Sequence, residues 1–517
     1  MVNLVNTELE AKNNAEVGAI LPPVESILKS IELDPNTLKS INPRSKRRQY
    51  RAVINWLTKY KCPQFATDNL VKVKGYLESF YHLGEAGDWE KSGELLFIPL
   101  NTKTQESLIN QLFTWGYYQQ QIELYEQILG KLDDSCDLMF LNGLGNTHTV
   151  QGNYLEAIDY LQKSLKIARQ TTDREGEGKA LGNLGLAYHY LGNEREAIKY
   201  YEQSLEIQQS ISERHGEAKS LAKLGNSYTY LGEYELALKY NEQALKLSKA
   251  IGDRKTEATL LGDLGIIYGF LGNYPKTIEY SQQYLVICQE IGDRRGEGNA
   301  LGNLGNAYEA TGDYSQAINY HQQHLKIAKE IGDRRGEGNA LGNLGNAYES
   351  TGDYTQAIEC LQQHLSIARE IEDRRGEANS LGNLGVVYEA LKDYEQAKYY
   401  AQQLLIIAKE IKNPFAEAVA LCNLGVSLVW LKEDEEGLKN IEQASLIFNQ
   451  IDSHLIEVET FKKLAEIYEQ LGNIPLAINF CDRASTIATE LNMPLAKECQ
   501  ELKEKLVNKI SLNPKIC

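Results

Sequence analysis

Apolar and polar positions recur along this chain with a period of 40 residues. The clearest unit is Leu-x-x-Leu-Gly-x-x-Tyr, and one long stretch, Glu290–Glu309, returns without a change as Glu330–Glu349. The first position of the unit, the marker residue, falls at Leu141, Leu181, Leu221, Leu261, Leu301, Leu341, Leu381, Leu421 and Phe461. These nine copies, called repeats 1 to 9 in that order, predict an array in which each unit packs on its neighbours.

Each copy predicts two antiparallel helices. In repeat 5 the apolar spacing favours a helix A over Arg294–Ala310 and a helix B over Tyr314–Ile331. Asp293 precedes helix A and can accept hydrogen bonds from its first free amides. Gly312 lies in the short connection and can adopt the positive φ that commonly ends a helix.

The faces of helix A differ in chemistry. At about 100° per residue, the two leucines and the tyrosine of the repeat 5 unit fall within one arc of roughly 60°, which predicts an apolar stripe against helix B and the neighbouring repeat. A stripe of glycines beside it lets another helix come close, and it consists of Gly298, Gly302 and Gly305. The opposite side carries amides instead of the lysine and glutamate mixture of an ordinary solvated face, namely Asn299, Asn303 and Asn306.

These motifs resemble the tetratricopeptide repeat over about 370 of the 517 residues. The helix A unit carries the resemblance together with an alanine of helix B, found at Ala157, Ala197, Ala237, Ala317, Ala357, Ala397 and Ala477. Thr277 and Gly437 depart from that alanine pattern. The 40-residue period is similar to the longer-helix variety in scaffolds of the Pins/LGN type, which orient the spindle, and in bacterial relatives. The resemblance implies an all-α, right-handed superhelical solenoid of antiparallel helix pairs, with helix A lining the concave groove.

The chain divides into three predicted regions. Residues 1–100 form an N-terminal helical region, and its first 22 residues are expected to be a loose polar arm. Residues 101–492 form the solenoid, in which nine regular repeats from about residue 134 follow one degenerate helix pair. Residues 493–517 form a capping helix and tail, with the helix starting at Met493-Pro494. Atypical end units are expected because one of their faces has no neighbour.

Polar residues of helix A follow one another along the predicted groove, and we call this set the amide ladder. It occupies positions two before, two after and five after the marker residue, and its members are Asn146, Lys179, Asn183, Lys219, Lys223, Asn226, Asn299, Asn303, Asn306, Asn339, Asn343, Asn346, Asn379, Asn383 and Asn423. An amide offers a donor and an acceptor together, which suits the backbone of an extended peptide. The alternative is that repeat drift has kept polar residues on a wetted inner wall.

Part of the ladder resembles, position by position, a carboxylate clamp by which some tetratricopeptide co-chaperones hold an acidic C-terminal tail. The matching residues are Asn146, Asn183, Lys219 and Lys223. Two ammonium groups and two amides can surround a carboxylate with charge-assisted hydrogen bonds. Two departures favour a looser acidic-peptide site instead: Asn142 stands where the family has a further lysine, and Lys223 where it usually has arginine. Asp263 interrupts the basic stretch farther along.

Two other groups of residues invite a functional interpretation. Arginine pairs open helix A in three repeats, at Arg294–Arg295, Arg334–Arg335 and Arg374–Arg375. Cations there oppose the helix dipole, so we expect them to pair with acidic neighbours such as Glu297 and Glu337, or to contact an acidic partner. Histidines of helix B, at His321, His324 and His364, are expected to pack between helices, because no nearby cysteine or carboxylate cluster completes a metal site.

Composition excludes several function classes. The net charge of −17 disfavours nonspecific nucleic-acid binding, which depends on a basic surface. Eight scattered cysteines without metal-ligand spacing, no membrane-length apolar run and no secretory signal together predict a cytoplasmic protein without membrane insertion. The glycine-rich motif of helix A follows no predicted strand and lacks the Gly-Lys-Ser/Thr of a phosphate-binding loop, so we reject a nucleotide site. We find no catalytic constellation, and expect no metal and no cofactor.

The sequence therefore predicts a non-enzymatic scaffold or adaptor. Its partner is expected to be a protein or peptide with an acidic segment, bound extended in the concave groove. A regulatory sensor is the alternative, in which a peptide or partner in the groove controls residues 1–100.

Overall fold

A computed structural model describes residues 20–63, 68–451, 455–490 and 495–512, and its secondary structure is helical throughout apart from one isolated bridge between Pro99 and Ser107. The first helices of these ranges are Val24–Ser30, a 3-10 helix Pro35–Ser40, Arg44–Lys59, Asn69–Glu85, Trp89–Phe97, Leu108–Thr114 and Tyr118–Ile128. The predicted loose arm falls mostly on residues 1–19, outside the described residues. None of the helices in the described ranges combines the length and hydropathy that a membrane span requires.

Nine helix pairs follow, in the register that the marker residue predicts. In order, helix A and helix B of each repeat are Asp134–Gln151 and Tyr154–Gln170, Arg174–Tyr190 and Glu194–Ser210, Arg214–Tyr230 and Tyr234–Ile251, Arg254–Phe270 and Tyr274–Ile291, Arg294–Ala310 and Tyr314–Ile331, Arg334–Thr351 and Tyr354–Glu370, Arg374–Ala390 and Tyr394–Glu410, Pro414–Trp430 and Asp434–Ile451, and Leu455–Gln470 and Ile474–Glu490. Consecutive helices pack on one another, which confirms the all-α solenoid.

Local capping sets the ends of these helices. The Asp293 side chain accepts a hydrogen bond from the Gly296 amide at 2.9 Å, and the Asp313 side chain accepts one from the Gln316 amide at 3.1 Å. Between them Gly312 has φ +80°, a conformation that favours glycine. Repeat 5 therefore starts and stops its helices with residues that lie within or directly beside it, which is why the sequence predicts their ends well.

The core of each repeat is built from the apolar face of helix A and the small residues of helix B. In repeat 5, Leu301 and Leu304 of helix A are buried, and Ala317 of helix B is fully buried as well. Because that alanine carries only a methyl group, the two helices can approach closely at this point. The buried apolar residues of neighbouring repeats continue one another, as a nearest-neighbour array requires.

The N-terminal helices share a core with the start of the array. One cluster of buried apolar residues runs from Ile27 through Leu57, Phe80 and Leu112 to Leu144 of repeat 1. This continuity gives the first repeat a packed neighbour on its outer face. The predicted division near residue 100 crosses this cluster and stays a prediction.

A last helix, Ala496–Leu512, covers the far end of the array. Cys499 and Leu506 of this helix are fully buried against repeat 9, in a cluster that includes Phe480 and Cys481. The expected start of the capping helix at Met493-Pro494 lies outside the described residues.

The array also folds back on itself. Tyr118, ahead of repeat 1, is buried against Leu341 and Ile371 of repeat 6. The Gln151 side chain donates to Glu372 at 3.3 Å across 221 residues of sequence, and Arg295 donates to Thr114 across 181 residues. With 40 residues in each repeat, these contacts close one superhelical turn after about five repeats.

Candidate functional site

The inner wall of the superhelix is formed by the helix A faces that the core leaves free. In repeats 5 to 7 the ladder residues two before the marker are exposed, at Asn299, Asn339 and Asn379. Those two after the marker are partly buried, at Asn303, Asn343 and Asn383. The leucines on the opposite face of the same helices are buried, so core formation alone orients the amides toward the groove.

Eight members of the amide ladder share one cavity of about 540 Å³ that spans repeats 4 to 7. Its ladder members are Asn299, Asn303, Asn306, Asn339, Asn343, Asn346, Asn379 and Asn383, and its other lining residues are Thr259, Gly262, Asp263, Ile266, Tyr284, Gly302, His324, Gly342 and His364. The Asn383 side chain donates to Asn346 at 2.8 Å, which links two neighbouring repeats. The remaining wall amides present a polar surface with little charge.

The cavity includes three side chains of helix B that sequence reasoning did not place there: Tyr284, His324 and His364. They occupy the same position in successive repeats, 23 residues after the marker. Each lies behind a glycine of helix A, and a Cβ atom at Gly302 would stand 3.2 Å from His324 Nδ1. The signal in the sequence was the glycine stripe, since a wall residue without a side chain exposes what packs behind it.

The basic section of the ladder lies in repeats 2 and 3, outside the lining of the cavity. The Lys223 ammonium group donates to the Gly182 carbonyl oxygen at 2.9 Å and lies 5.5 Å from the centre of the Tyr201 ring. Burial, together with the neighbouring Lys219, lowers the pKa of Lys223 to about 8. Lys179 is exposed and pairs with Glu175 at 2.5 Å.

The clamp candidates are only partly brought together. Asn183 donates to Asn142 at 3.1 Å, and the Lys223 ammonium group stands beside the residue that precedes Asn183. At the position where the family has a further lysine, Asn142 therefore accepts a hydrogen bond from Asn183, one of the clamp candidates. Asn146 is partly buried one helical turn farther along its helix, and it is absent from the cavity lining.

Two other ladder members lie apart from the cavity. The Asn226 side chain donates to Asp263 at 3.3 Å, so it borders the cavity through that carboxylate. Burial raises the pKa of Asp263 to about 7, although the hydrogen bond from Asn226 acts in the opposite direction. Asn423 is partly buried in repeat 8, where its carbonyl oxygen accepts a hydrogen bond from Ser427 at 2.8 Å.

The arginine pairs serve two structural contacts. The first arginine pairs with acidic neighbours as expected: Arg294 bonds to Glu297 of its own helix and to Glu330 at the end of helix B of the same repeat. The second reaches the earlier superhelical turn, since Arg295 lies 3.4 Å from Glu106. The Arg375 guanidinium lies 4.5 Å from the centre of the Tyr190 ring. These side chains lie at the contact between turns and outside the cavity lining.

The histidines of helix B do not form a metal site in the described part of the chain, where no group of three or more histidine, cysteine, aspartate or glutamate side chains converges. His321 is fully buried beneath Gly305, one turn of helix away from the cavity-lining His324. Burial lowers the pKa of both rings to about 4. They are therefore neutral imidazoles at physiological pH.

The tetratricopeptide repeat family model matches residues 137–210, 195–250, 216–285, 256–330 and 336–410, which together are more than half of the chain. The chain belongs to the tetratricopeptide repeat family. Membership in this family assigns it a protein-interaction or regulatory role, with proteins as partners.

Solved structures with similar helical arrays include three of different kinds. A Rap protein complexed with competence and sporulation factor is 16% identical over 75% of this chain and 99% of that one, with a TM-score of 0.47. A signal transduction ATPase with a tetratricopeptide repeat sensor, from Pyrococcus horikoshii, is 16% identical over 80% of this chain and 64% of that one, with a TM-score of 0.41. BtubC from P. vanneervenii is 21% identical over 41% of this chain and 90% of that one, with a TM-score of 0.35. No curated protein sequence matches the chain.

Proposed function

We propose that this protein is a non-enzymatic scaffold or adaptor that binds an extended peptide along its concave groove. The observation that carries the proposal is the cavity of repeats 4 to 7, whose wall presents eight asparagine side chains from three consecutive helices A. An extended peptide leaves its own N–H and C=O groups unpaired when it enters such a groove, and side-chain amides can pair with both kinds of group.

The acidic part of the peptide is assigned to repeats 2 and 3. Lys219 is exposed, and the Lys223 ammonium group is held on the wall by the Gly182 carbonyl oxygen. A carboxylate at this position accepts charge-assisted hydrogen bonds from the two lysines. Its negative charge also favours the protonated form of Lys223, which burial disfavours. The peptide then passes Asp263 and continues into the cavity, where uncharged groups are preferred.

A random library of 12-residue peptides displayed on phage tests the proposal. Wild-type protein selects binders, and the affinity of the synthesised peptides is then measured by fluorescence anisotropy. Enriched peptides with acidic residues are expected to bind a Lys219→Ala, Lys223→Ala variant about tenfold more weakly or worse, since hydrogen bonds to charged groups are the stronger ones. The control is Lys239→Ala, Lys246→Ala, which removes the same charge from exposed positions on helix B of the same repeat.

Three outcomes separate the parts of the proposal. Selection of no peptide above background would reject the groove as a peptide site. Equal affinity for both double variants would keep the groove and reject the acidic section. Loss of affinity in Asn303→Ala, Asn343→Ala with retention in the lysine variant would place the binding energy in the cavity alone.

The regulatory alternative is favoured by one observation. The repeats that line the cavity also contact the segment ahead of repeat 1, where Arg295 lies 3.4 Å from Glu106 and Tyr118 packs on repeat 6. A ligand that changes the curvature of repeats 5 to 7 therefore acts on this contact. Altered amide hydrogen exchange in Leu108–Thr114 on addition of a selected peptide would favour the sensor over the passive scaffold.

A further inference from the structure

His324 and His364 occupy an unusual position on the cavity floor. Each side chain is only 6% exposed, yet each ring lines the cavity. Within the described residues, the Nδ1 atom of each ring has no hydrogen-bond partner. Buried polar atoms in proteins are usually paired, and these two unpaired atoms belong to rings that line an open cavity at equivalent positions of neighbouring repeats, where a ligand from outside the chain could supply the partner.

The glycines of helix A control access to these two atoms. A Cβ atom at Gly302 would lie 3.2 Å from His324 Nδ1, and one at Gly342 would lie 2.8 Å from His364 Nδ1. Any larger wall residue would therefore cover the Nδ1 edge or displace the ring. With glycine in place, no side chain at these two positions of helix A stands between the rings and the cavity that both rings line.

Packing does not require histidine at this position of the repeat. The equivalent residue is Leu404 in repeat 7 and Ala244 in repeat 3, and both are buried there. His321 gives the contrast in position: its two ring nitrogens also lack a hydrogen-bond partner among the described residues, but it fills the space beneath Gly305, is fully buried and does not line the cavity, so no ligand in the cavity reaches it. Helix packing therefore does not require the polar ring atoms of His324 and His364.

We propose that His324 and His364 form two hydrogen-bonding subsites on the floor of the cavity, which hold uncharged amide or hydroxyl groups of the bound peptide. The proposal rests on the proposed peptide-binding function and assigns the chemistry of the segment that repeats 5 and 6 contact. Asn303 and Asn343 line the same cavity as the two rings and are uncharged as well. Burial lowers the pKa of both histidines to about 4, so no cationic ring is present at neutral pH to favour a carboxylate.

The spacing of the subsites sets a spacing in the ligand. The two rings lie behind Gly302 and Gly342, on helices A of neighbouring repeats that contact each other. Packed helices lie roughly 10 Å apart, and an extended peptide rises ~3.3 Å per residue. Two side chains about three residues apart can therefore reach the two rings. Serine, threonine, asparagine and glutamine side chains provide the required donors and acceptors.

The test uses the peptides selected by the wild-type protein from the 12-residue display library. Each selected peptide is measured against His324→Leu, His364→Leu and the double variant; leucine is the natural occupant of the equivalent position in repeat 7. We expect each single variant to bind about fivefold to tenfold more weakly, and the double variant to lose more. The matched control is His321→Leu, which mimics the buried Leu361 of repeat 6 and should keep wild-type affinity.

A second readout needs no variant. In wild-type protein with ¹⁵N-labelled histidine, a selected peptide should shift the ring nitrogen signals of His324 and His364 and leave those of His321 in place. Selected peptides should carry amide or hydroxyl side chains about three residues apart.

Three results would overturn the inference. Unchanged affinity of the double variant together with unmoved ring signals would leave peptide binding intact and remove the histidine subsites. Enrichment of carboxylates at both contacting positions would contradict the assigned chemistry. Selection of no peptide at all would remove the proposed function and this inference with it.

Discussion

Lys223 and Asp263 hold equivalent positions in neighbouring repeats, two residues after the marker, and show how one wall position acquires different chemistry. Both side chains are partly buried on the concave wall. Burial disfavours the charged form of each, so it lowers the pKa of Lys223 to about 8 and raises that of Asp263 to about 7. The asparagines that fill the same position in repeats 5 to 7 avoid this cost because they carry no charge.

Asp263 should make the protein less stable as the pH rises. Its pKa in the folded protein, about 7, lies above the ordinary value of 3.8, so the unfolded chain releases the proton first. The free energy of unfolding therefore falls between about pH 4 and pH 7. We expect Asp263→Asn to raise Tm at pH 8 by on the order of 2 °C and to change it little at pH 4.

The reciprocal variant provides the control for this prediction. Asn303→Asp places a carboxylate at the equivalent position of the next repeat and should lower Tm at pH 8 more than at pH 4. Thermal unfolding followed by circular dichroism measures both variants. A Tm difference for Asp263→Asn that is the same at both pH values would show that the carboxylate carries no burial cost.

At the scale of elements, a buried glutamate in the first turn of helix A joins one repeat to the next. Glu377 is 4% exposed. It accepts a hydrogen bond from Arg374 of its own helix at 2.8 Å and one from Arg369, at the end of helix B of repeat 6, at 2.7 Å. The carboxylate also lies where the helix dipole favours negative charge. The positive charge of Arg374 is unfavourable at this end of the helix dipole, and its ion pair with Glu377 offsets that cost.

Removal of that charge should loosen the junction between repeats 6 and 7. Glu377→Gln leaves two arginines without their shared carboxylate, and because both are about half exposed we expect a cost of about 1–2 kcal/mol. Native-state hydrogen exchange within Arg374–Ala390 should accelerate by a factor of about 5–30. The control is Glu410→Gln, since Glu410 is exposed and lies 3.6 Å from Arg374. Equal acceleration in both variants would refute a special role for Glu377.

At the scale of the whole molecule, contact between successive superhelical turns holds the groove in shape. Tyr118 is 1% exposed and packs against repeat 6, while Arg295 and Gln151 add polar contacts across the same gap. A repeat array with nearest-neighbour contacts alone can flex along its whole length. The contact between turns restricts that motion near the repeats that line the cavity.

Tyr118→Ala should therefore open the superhelix as well as destabilise it. Truncation of a buried aromatic side chain costs ~3–5 kcal/mol, and here the lost contacts join distant parts of the chain. Small-angle X-ray scattering of the folded variant should give a larger radius of gyration than wild type. Tyr201→Ala is the matched control, because Tyr201 is equally buried but packs within its own part of the array. An unchanged radius in Tyr118→Ala would show that local repeat geometry alone sets the curvature.

The sequence by itself determined the features that depend on neighbouring residues. The helix ends at Arg294, Ala310, Tyr314 and Ile331 were predicted correctly, because the capping aspartates and the turn glycine lie within the same repeat. The period also identified the family and placed the amides on one face of helix A. Those inferences follow from a helical repeat of 3.6 residues and from packing between adjacent units.

Tertiary structure decided what depends on distant residues or on two helices at once. The contact of Tyr118 with Ile371 results from small rotations between repeats that accumulate along the array, so no local sequence pattern predicts it. The position of His324 and His364 at the cavity follows from helix B side chains reaching past the glycines of helix A. A periodic pattern assigns a residue to a face of its own helix, but only the packed pair shows which side chain meets the groove.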